Sequence, residues 1–188
     1  MSYKSEYSPY LQGRRLYLRE VRVSDINEEY YHWMNDPGVT RYLESRFFPN
    51  DTESLKEYVV QRQKDRNSVF LAIILKEEEK HIGNVKLGPI DWIHKLGDIG
   101  VLIGDKSSWG RGYATEAIGL VVKLAFQGLN LHKVTAGYYV DNKGSEKAFK
   151  NNGFVLEGVR RKHRFCEGSY TDTVLLGLLR EEFEKKEE

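Results

Sequence analysis

Trp109-Gly110-Arg111-Gly112-Tyr113-Ala114-Thr115-Glu116-Ala117 stands between a short β-rich run at 97–103 and a longer segment of helical period. In that segment Ala114, Ala117, Ile118, Val121, Val122 and Ala125 recur on one face, which predicts an amphipathic helix over 113–127. Two glycines let the backbone turn tightly and approach a ligand. The first N–H groups of the following helix have no intrahelical acceptor and sit at the positive end of its dipole, so the turn suits a phosphate. The same glycines serve equally well as a tight strand-to-helix connection with no ligand. A P-loop would need Gly-Lys-Ser/Thr after four intervening residues, and neither it nor the dinucleotide glycine fingerprint is present, which excludes those two modes of phosphate binding.

Upstream of the turn, 69–75, 81–90 and 97–103 read as three consecutive antiparallel strands, divided by a charged turn and by Gly88-Pro89. Before them come a strand at 16–22, a helix at 26–35 capped by Ser24 or Asp25 and stopped by Asp36-Pro37-Gly38, and a second helix from about 51 with Thr52 as its N-cap. Downstream lie a strand at 132–140, a helix at 145–152 ended by Gly153, and strands near 154–165 and 170–180. The order β-α-α-β-β-β-α-β-α-β-β describes a mixed α/β (α+β) chain of about seven strands. One domain is expected over 15–180, preceded by an arm at 1–14 and followed by a frayed, charged tail at 181–188.

Lysine and arginine number 29 against 28 aspartates and glutamates, so the net charge of +1 offers no footprint for nucleic acid or an anionic membrane. The segment 1–11 reads as neither a secretory signal nor a membrane span, and the lone Cys166 fits a reducing compartment, so cytoplasm is the expected location. His81, His94, His132 and His163 are scattered without ligand spacing and no metal site is expected, while His32 beside Trp33 reads as a pocket candidate only.

At three places the chain resembles the GCN5-related N-acetyltransferase (GNAT) family. The glycine turn is similar to its Gln/Arg-x-x-Gly-x-Gly/Ala pyrophosphate loop, with Gly112 and Ala114 on the last two positions and Trp109 in place of the first residue. Asn142-Lys143-Gly144-Ser145-Glu146-Lys147-Ala148-Phe149 to Gly153-Phe154 resembles the segment after the family's fifth strand, and 153–158 with 168–172 resembles its closing hairpin. The Trp109 replacement resembles the branch of ribosomal-protein N-terminal acetyltransferases. The resemblance implies a mostly antiparallel sheet whose fourth and fifth strands splay apart, with acetyl-CoA as co-substrate. Its pantetheine arm would lie along Val101, Leu102 and Ile103, with a backbone N–H near Val101 or Leu102 facing the thioester oxygen. Its pyrophosphate would sit on Trp109, Gly110, Arg111, Gly112, Tyr113, Ala114 and Thr115, with Asn142 and Ser145 also touching the cofactor.

In many members a tyrosine on the fourth helix protonates the leaving thiolate; here that position is Phe149, which has no proton to give. The resemblance to the ribosomal-protein branch transfers the acid role to Ser145. Asn142 and Ser145 can also be simple first-turn capping residues. Asp98 and Glu20 are the candidate bases that would take a proton from the amine, while Glu116 reads as a structural charge at the helix N-terminus. Without an acid, a non-catalytic acetyl-CoA-binding module remains an alternative.

The acceptor should be shaped by the first third of the chain, where Tyr30, Tyr31, Trp33, Tyr42, Phe47 and Phe48 crowd together either as core or as ligand-facing rings. The segments 33–44 and 83–94 resemble acetyltransferases of nucleotide-linked amino sugars, which makes Trp33, Tyr42 and Asn84 the acceptor-binding candidates. A small-molecule amine of that class comes first in expectation, a protein N-terminus second, and a polyamine or drug amine third. A homodimer is compatible with the resemblance.

Overall fold

Along Val69–Leu75 the residues Leu71, Ile73 and Leu75 enter one buried cluster while Ala72 and Ile74 enter another, so the strand lies in a sheet covered on both faces. The computed structural model describes residues 8–187. Eight strands form one sheet in the order β1-β2-β3-β4-β5-β6-β8-β7. They are β1 (Leu11–Gln12), β2 (Leu16–Glu20), β3 (Val69–Leu75), β4 (Lys80–Asp91), β5 (Leu96–Ile103), β6 (Lys133–Tyr139), β7 (Val155–Cys166) and β8 (Ser169–Leu179). The strand beyond the expected seven is β1, which forms inside the segment read as an arm and pairs Leu11 with Leu18 and Gln12 with Tyr17.

Every neighbouring pair is antiparallel except β5 and β6, which a helical crossover joins in parallel. That pairing holds for Leu96↔Lys133, Gly97↔Val134 and Asp98↔Thr135 and then ceases, although both strands run on. The expected splay is therefore present. The crossover is α4 (Tyr113–Lys123), continued by a π-type turn at Leu124–Gly128. Its Ala117, Ile118, Val121 and Val122 are buried against Leu16, Leu18, Ile73, Val85 and Ile99. The opposite face is covered by α1 (Glu28–Asn35) and α3 (Thr52–Lys64), whose Tyr30, Trp33, Leu55 and Val59 pack on Tyr17, Ala72 and Ile74. Between them α2 (Pro37–Thr40) and a 3-10 turn at Glu44–Phe47 lead towards β6, and α5 (Lys143–Asn151) joins β6 to β7.

Helix starts fall where short carboxylate and amide side chains meet backbone donors. Asn27, not Ser24 or Asp25, caps α1 by accepting from Tyr30 N at 3.0 Å, and Asp51, one residue before Thr52, caps α3 by accepting from Ser54 N at 2.9 Å. Asp25 is instead consumed by a buried ion pair with Arg19 at 2.7 Å. The C-terminal segment expected to fray begins as α6 (Arg180–Glu187): Glu182 accepts from Leu179 N at 2.8 Å, and the Phe183 ring meets Phe126 with centroids 5.3 Å apart.

One contact joins the two ends of this order. Glu116, in the first turn of α4, accepts from Arg15 N at 2.7 Å and from Arg15 Nε at 2.9 Å, and more distantly from Leu16 N at 3.4 Å. Burial acts to raise the Glu116 pKa, but these hydrogen bonds and the Arg15 charge outweigh it and leave it below the ordinary glutamate value. Replacing Glu116 by alanine removes the acceptor from three donors and should lower stability at neutral pH by about 1–3 kcal/mol in urea denaturation. Because the folded-state pKa is depressed, that contribution exists above the unfolded value and vanishes as pH falls through the folded one. The gap between the two proteins should therefore begin to narrow as pH falls past the ordinary glutamate value and close only below the depressed folded-state one.

Candidate functional site

The glycine turn adopts the conformation its residues permit. Gly110 has φ 70° and Gly112 φ 80°, the left-handed region that glycine occupies without penalty. Gly112 is the N-cap of α4, and the first helical bond is Glu116 N to Gly112 O at 3.1 Å. The N–H groups of Tyr113, Ala114 and Thr115 are thus left without intrahelical acceptors. A Cβ built on Gly110 would meet nothing within 4 Å, so this side of the turn is open to a ligand. Trp109 donates its indole N–H to Ile103 O at 2.8 Å and ties the turn to the end of β5. Arg15 donates to Arg111 O at 2.8 Å and lies 4.6 Å from the centre of the buried Tyr113 ring, which braces the turn from the residue just before β2. The result is a preformed cradle of backbone donors suited to a pyrophosphate.

Beside the turn lies the fork between β5 and β6. Lys95 O accepts from Lys133 N on the β6 side, and Gly104 N donates to Ile82 O on the β4 side. Backbone groups alternate along a strand, so Val101 and Ile103 aim their N–H groups into the fork while Leu102 aims its own at β4. Of the two expected donors, Val101 is the one facing the gap. Side chains alternate likewise: Ile99, Val101 and Ile103 pack on the α4 side, whereas Leu102 joins the α1–α3 side, which places Asp98 and Gly100 there too. On β6, Val134, Ala136 and Tyr138 belong to the α4 core, and Thr135, Gly137 and Tyr139 take the opposite face. A Cβ on Gly100 would meet nothing within 4 Å, so the floor beside the fork is open.

Asp98 stands at the base of the fork, where its Oδ2 accepts from Thr135 Oγ1 at 2.8 Å. Burial pushes its pKa up, and the Thr135 hydrogen bond and the Lys86 charge offset this only in part. Glu20 is elsewhere: it is paired with Arg22, three strands away and level with Val101, on the α4 face. The sheet itself therefore separates the two candidate bases.

On α5, Asn142 is an N-cap whose Oδ1 accepts from Ser145 N at 3.1 Å, leaving its amide donors outside the cap, and Ser145 is half-buried in the first turn. Phe149 is a core residue, with its ring edge-on to Phe154 at 5.1 Å. Two of the three acceptor candidates lie in the core. Trp33 packs on the backbone of Gly104 and edge-on to His81 at 5.2 Å, and Asn84, 4% exposed, donates to Tyr30 Oη at 3.1 Å. Their polar and aromatic character supports the second core, where burial pushes the Tyr30 pKa up and the His81 pKa down.

Of the three, Tyr42 alone reaches the face of β6 opposite α4, 5.5 Å from the Tyr139 ring. Around Tyr139 the structure gathers residues that the sequence did not single out. Its hydroxyl donates to Glu44 Oε1 at 2.8 Å and accepts from Arg46 Nη2 at 3.1 Å. Arg15 and Thr135 were also unmarked: both act across more than 35 residues, so no local spacing reveals them.

Set against known proteins, residues 15–155 match the acetyltransferase (GNAT) domain. An N-acetyltransferase of Bacillus licheniformis called p20, itself uncharacterized, is 28% identical over 92% of this chain and 97% of its own length. The spermidine N(1)-acetyltransferase of Vibrio cholerae is 26% identical over 93% of this chain and 98% of its own. A solved V. cholerae spermidine N-acetyltransferase, in complex with CoA and spermine, shares the fold with a TM-score of 0.81 at 24% identity, over 90% of this chain and 98% of that one. With the matched domain spanning both the glycine turn and the fork, the chain belongs to the GNAT family of N-acetyltransferases, enzymes that use acetyl-CoA as co-substrate.

Proposed function

We propose that this enzyme moves the acetyl group of acetyl-CoA to the primary amine of a small molecule, by direct attack within the β5–β6 fork. The observation that carries this reading is the fork itself, opening beside a helix N-terminus with unengaged donors at Tyr113, Ala114 and Thr115. Those donors fit a pyrophosphate, and the unpaired edge of β5 fits the amide groups of a pantetheine arm lying as an added strand. The amine enters from the face bearing Asp98, Gly100 and Tyr139.

Asp98 takes one proton from the entering ammonium, and the freed nitrogen attacks the thioester carbon. The Val101 N–H faces the oxygen as it gains charge. When the C–S bond breaks, the sulfur takes a proton through the Ser145 hydroxyl, which is replenished from the second proton that leaves the nitrogen. An amide, a free thiol and one proton result. For the acceptor, the near-full-length likeness to a spermidine N(1)-acetyltransferase supports a small amine, and a nucleotide-linked amino sugar finds no support among these relatives. A net charge of +1 is also weakly suited to a ribosomal target.

Two measurements test this reading. A valine at Gly112 would have to hold φ near 80°, at a cost of about 1–2 kcal/mol, and its Cβ would crowd Arg15 Nη2 at 3.4 Å, the group that braces the turn. Calorimetric titration should show acetyl-CoA binding lost or weakened at least about tenfold in Gly112→Val. Asp98→Asn should lower kcat/KM by about 10²–10⁴. In the wild type the base works only when deprotonated, so activity should fall as pH drops through the raised Asp98 value and recover above it. An acid limb at the ordinary carboxylate range, or an Asp98→Asn enzyme of full activity, would contradict the assignment.

A further inference from the structure

The sheet face that carries Asp98 and Gly100 also carries a lysine to which the reaction gives no part. Val85 and Leu87 of β4 enter the α4 core, so Lys86 between them takes the opposite face, in register with Gly100 on β5 and with Phe70 on β3. Phe70 packs on the second core, as that placement requires. Lys86 is half-buried. Among the described residues its amine has neither an ion pair nor a hydrogen bond, and it is not sealed from solvent. Its charge acts on Asp98 to one side and on Asp65, at the end of α3, to the other. Lys133, on the same face of β6, is by contrast held by Glu157.

Between Lys86 and the fork stands only Gly100. A Cβ built there would meet nothing within 4 Å, so no side chain bars the way. Neighbouring strands lie about 4.8 Å apart, and the four-carbon stem of a lysine is longer than that, so it can lay its amine across β5 at the margin of the fork. Val101, whose N–H faces the gap, is the next residue along β5, and Asp98 lies two residues the other way on the lysine's own face. The Lys86 amine thus reaches the level at which the Val101 N–H would meet a thioester oxygen, with a carboxylate beside it.

We infer that Lys86 is a site of self-acetylation: with acetyl-CoA in the fork and no acceptor on the floor, the enzyme transfers the acetyl group to its own Lys86 Nζ. The inference rests on the acetyltransferase reading of the fork. Asp98 takes one proton from the Lys86 ammonium, the nitrogen attacks the thioester carbon, and the C–S bond breaks once the C–N bond has formed. The second nitrogen proton goes to the departing sulfur through Ser145, which leaves an amide, a free CoA thiol and one proton. An amine tethered beside the thioester reacts as though at high effective concentration. The resulting amide has lost its charge and adds bulk beside Gly100, on the floor that an entering amine must cross, so acetylation closes the enzyme to its acceptor.

The test incubates the purified protein with acetyl-CoA alone and follows each lysine by peptide mass spectrometry. Acetylation at Lys86 should outrun that at every other lysine by at least about tenfold, with a rate constant independent of protein concentration. Turnover is then measured on spermidine, n-butylamine and a peptide with a free N-terminus. After the incubation, turnover on the best of them should fall about tenfold in the wild type and hold in Lys86→Arg, which keeps the charge but offers no amine. Acetyl groups spread evenly over the lysines, a Lys86 rate that rises with protein concentration, or undiminished turnover by protein acetylated at Lys86 overturns the inference and leaves the transferase intact. Acetylated Lys86 with no turnover on any of the three amines upholds the site and overturns the small-molecule reading. No transfer to Lys86 or to any amine overturns both.

Discussion

The site exists because β5 and β6 stay together for only three residue pairs. Each strand is paired along its other side, β5 with β4 save for a bulge opposite Asp98 and β6 with β8 throughout, so the sheet is two ladders sharing a short seam. Beyond the seam, backbone donors and acceptors face a gap instead of a neighbour, which a folded protein tolerates only where water or a ligand satisfies them. The parallel connection adds the second half of the arrangement. It requires a helix to cross from the end of β5 to the start of β6, and the N-terminus of that helix falls next to the open end of the gap. A donor-lined slot and an anion cradle therefore come from one topological choice.

The two faces of the sheet divide the labour. The α4 face is a continuous apolar core that aims Val101 and Ile103 inward and holds Phe149 and Tyr138 against it. The opposite face is discontinuous: its core of Tyr30, Trp33, Leu55 and Val59 covers β2 to β4 and leaves β5 and β6 with glycines at 100 and 137 and polar groups at 98, 135 and 139. Apolar cover ends where the face proposed to receive the amine begins.

The glycine turn, the amphipathic helix and the segment 142–154 were legible in the sequence because each depends on local spacing. The fold followed from them, with β1 overlooked because two residues are too short to show a period. Ser145 and Asp98 could be named, but what surrounds them could not. Asp98 gains its environment from Thr135, and Tyr139 from Glu44 and Arg46, through contacts spanning 37 to 95 residues. Trp33 and Asn84, acceptor-binding candidates by sequence, are buried in the second core for a related reason: an aromatic or amide side chain reads the same in a pocket wall and in a satisfied core, and only packing distinguishes them.

On the proposed binding mode, the short seam would also give the co-substrate a mechanical role. A molecule that lies along both free edges joins ladders that otherwise share three rungs, so it works as a rivet as well as a reactant. Binding of this kind favours the folded chain alone, and mass action turns the free concentration of the rivet into resistance to unfolding, about 2.7 kcal/mol at a hundred times its Kd. How firmly the two halves hold would then vary with the supply of the acyl donor, and the enzyme would be least durable when it has nothing to transfer.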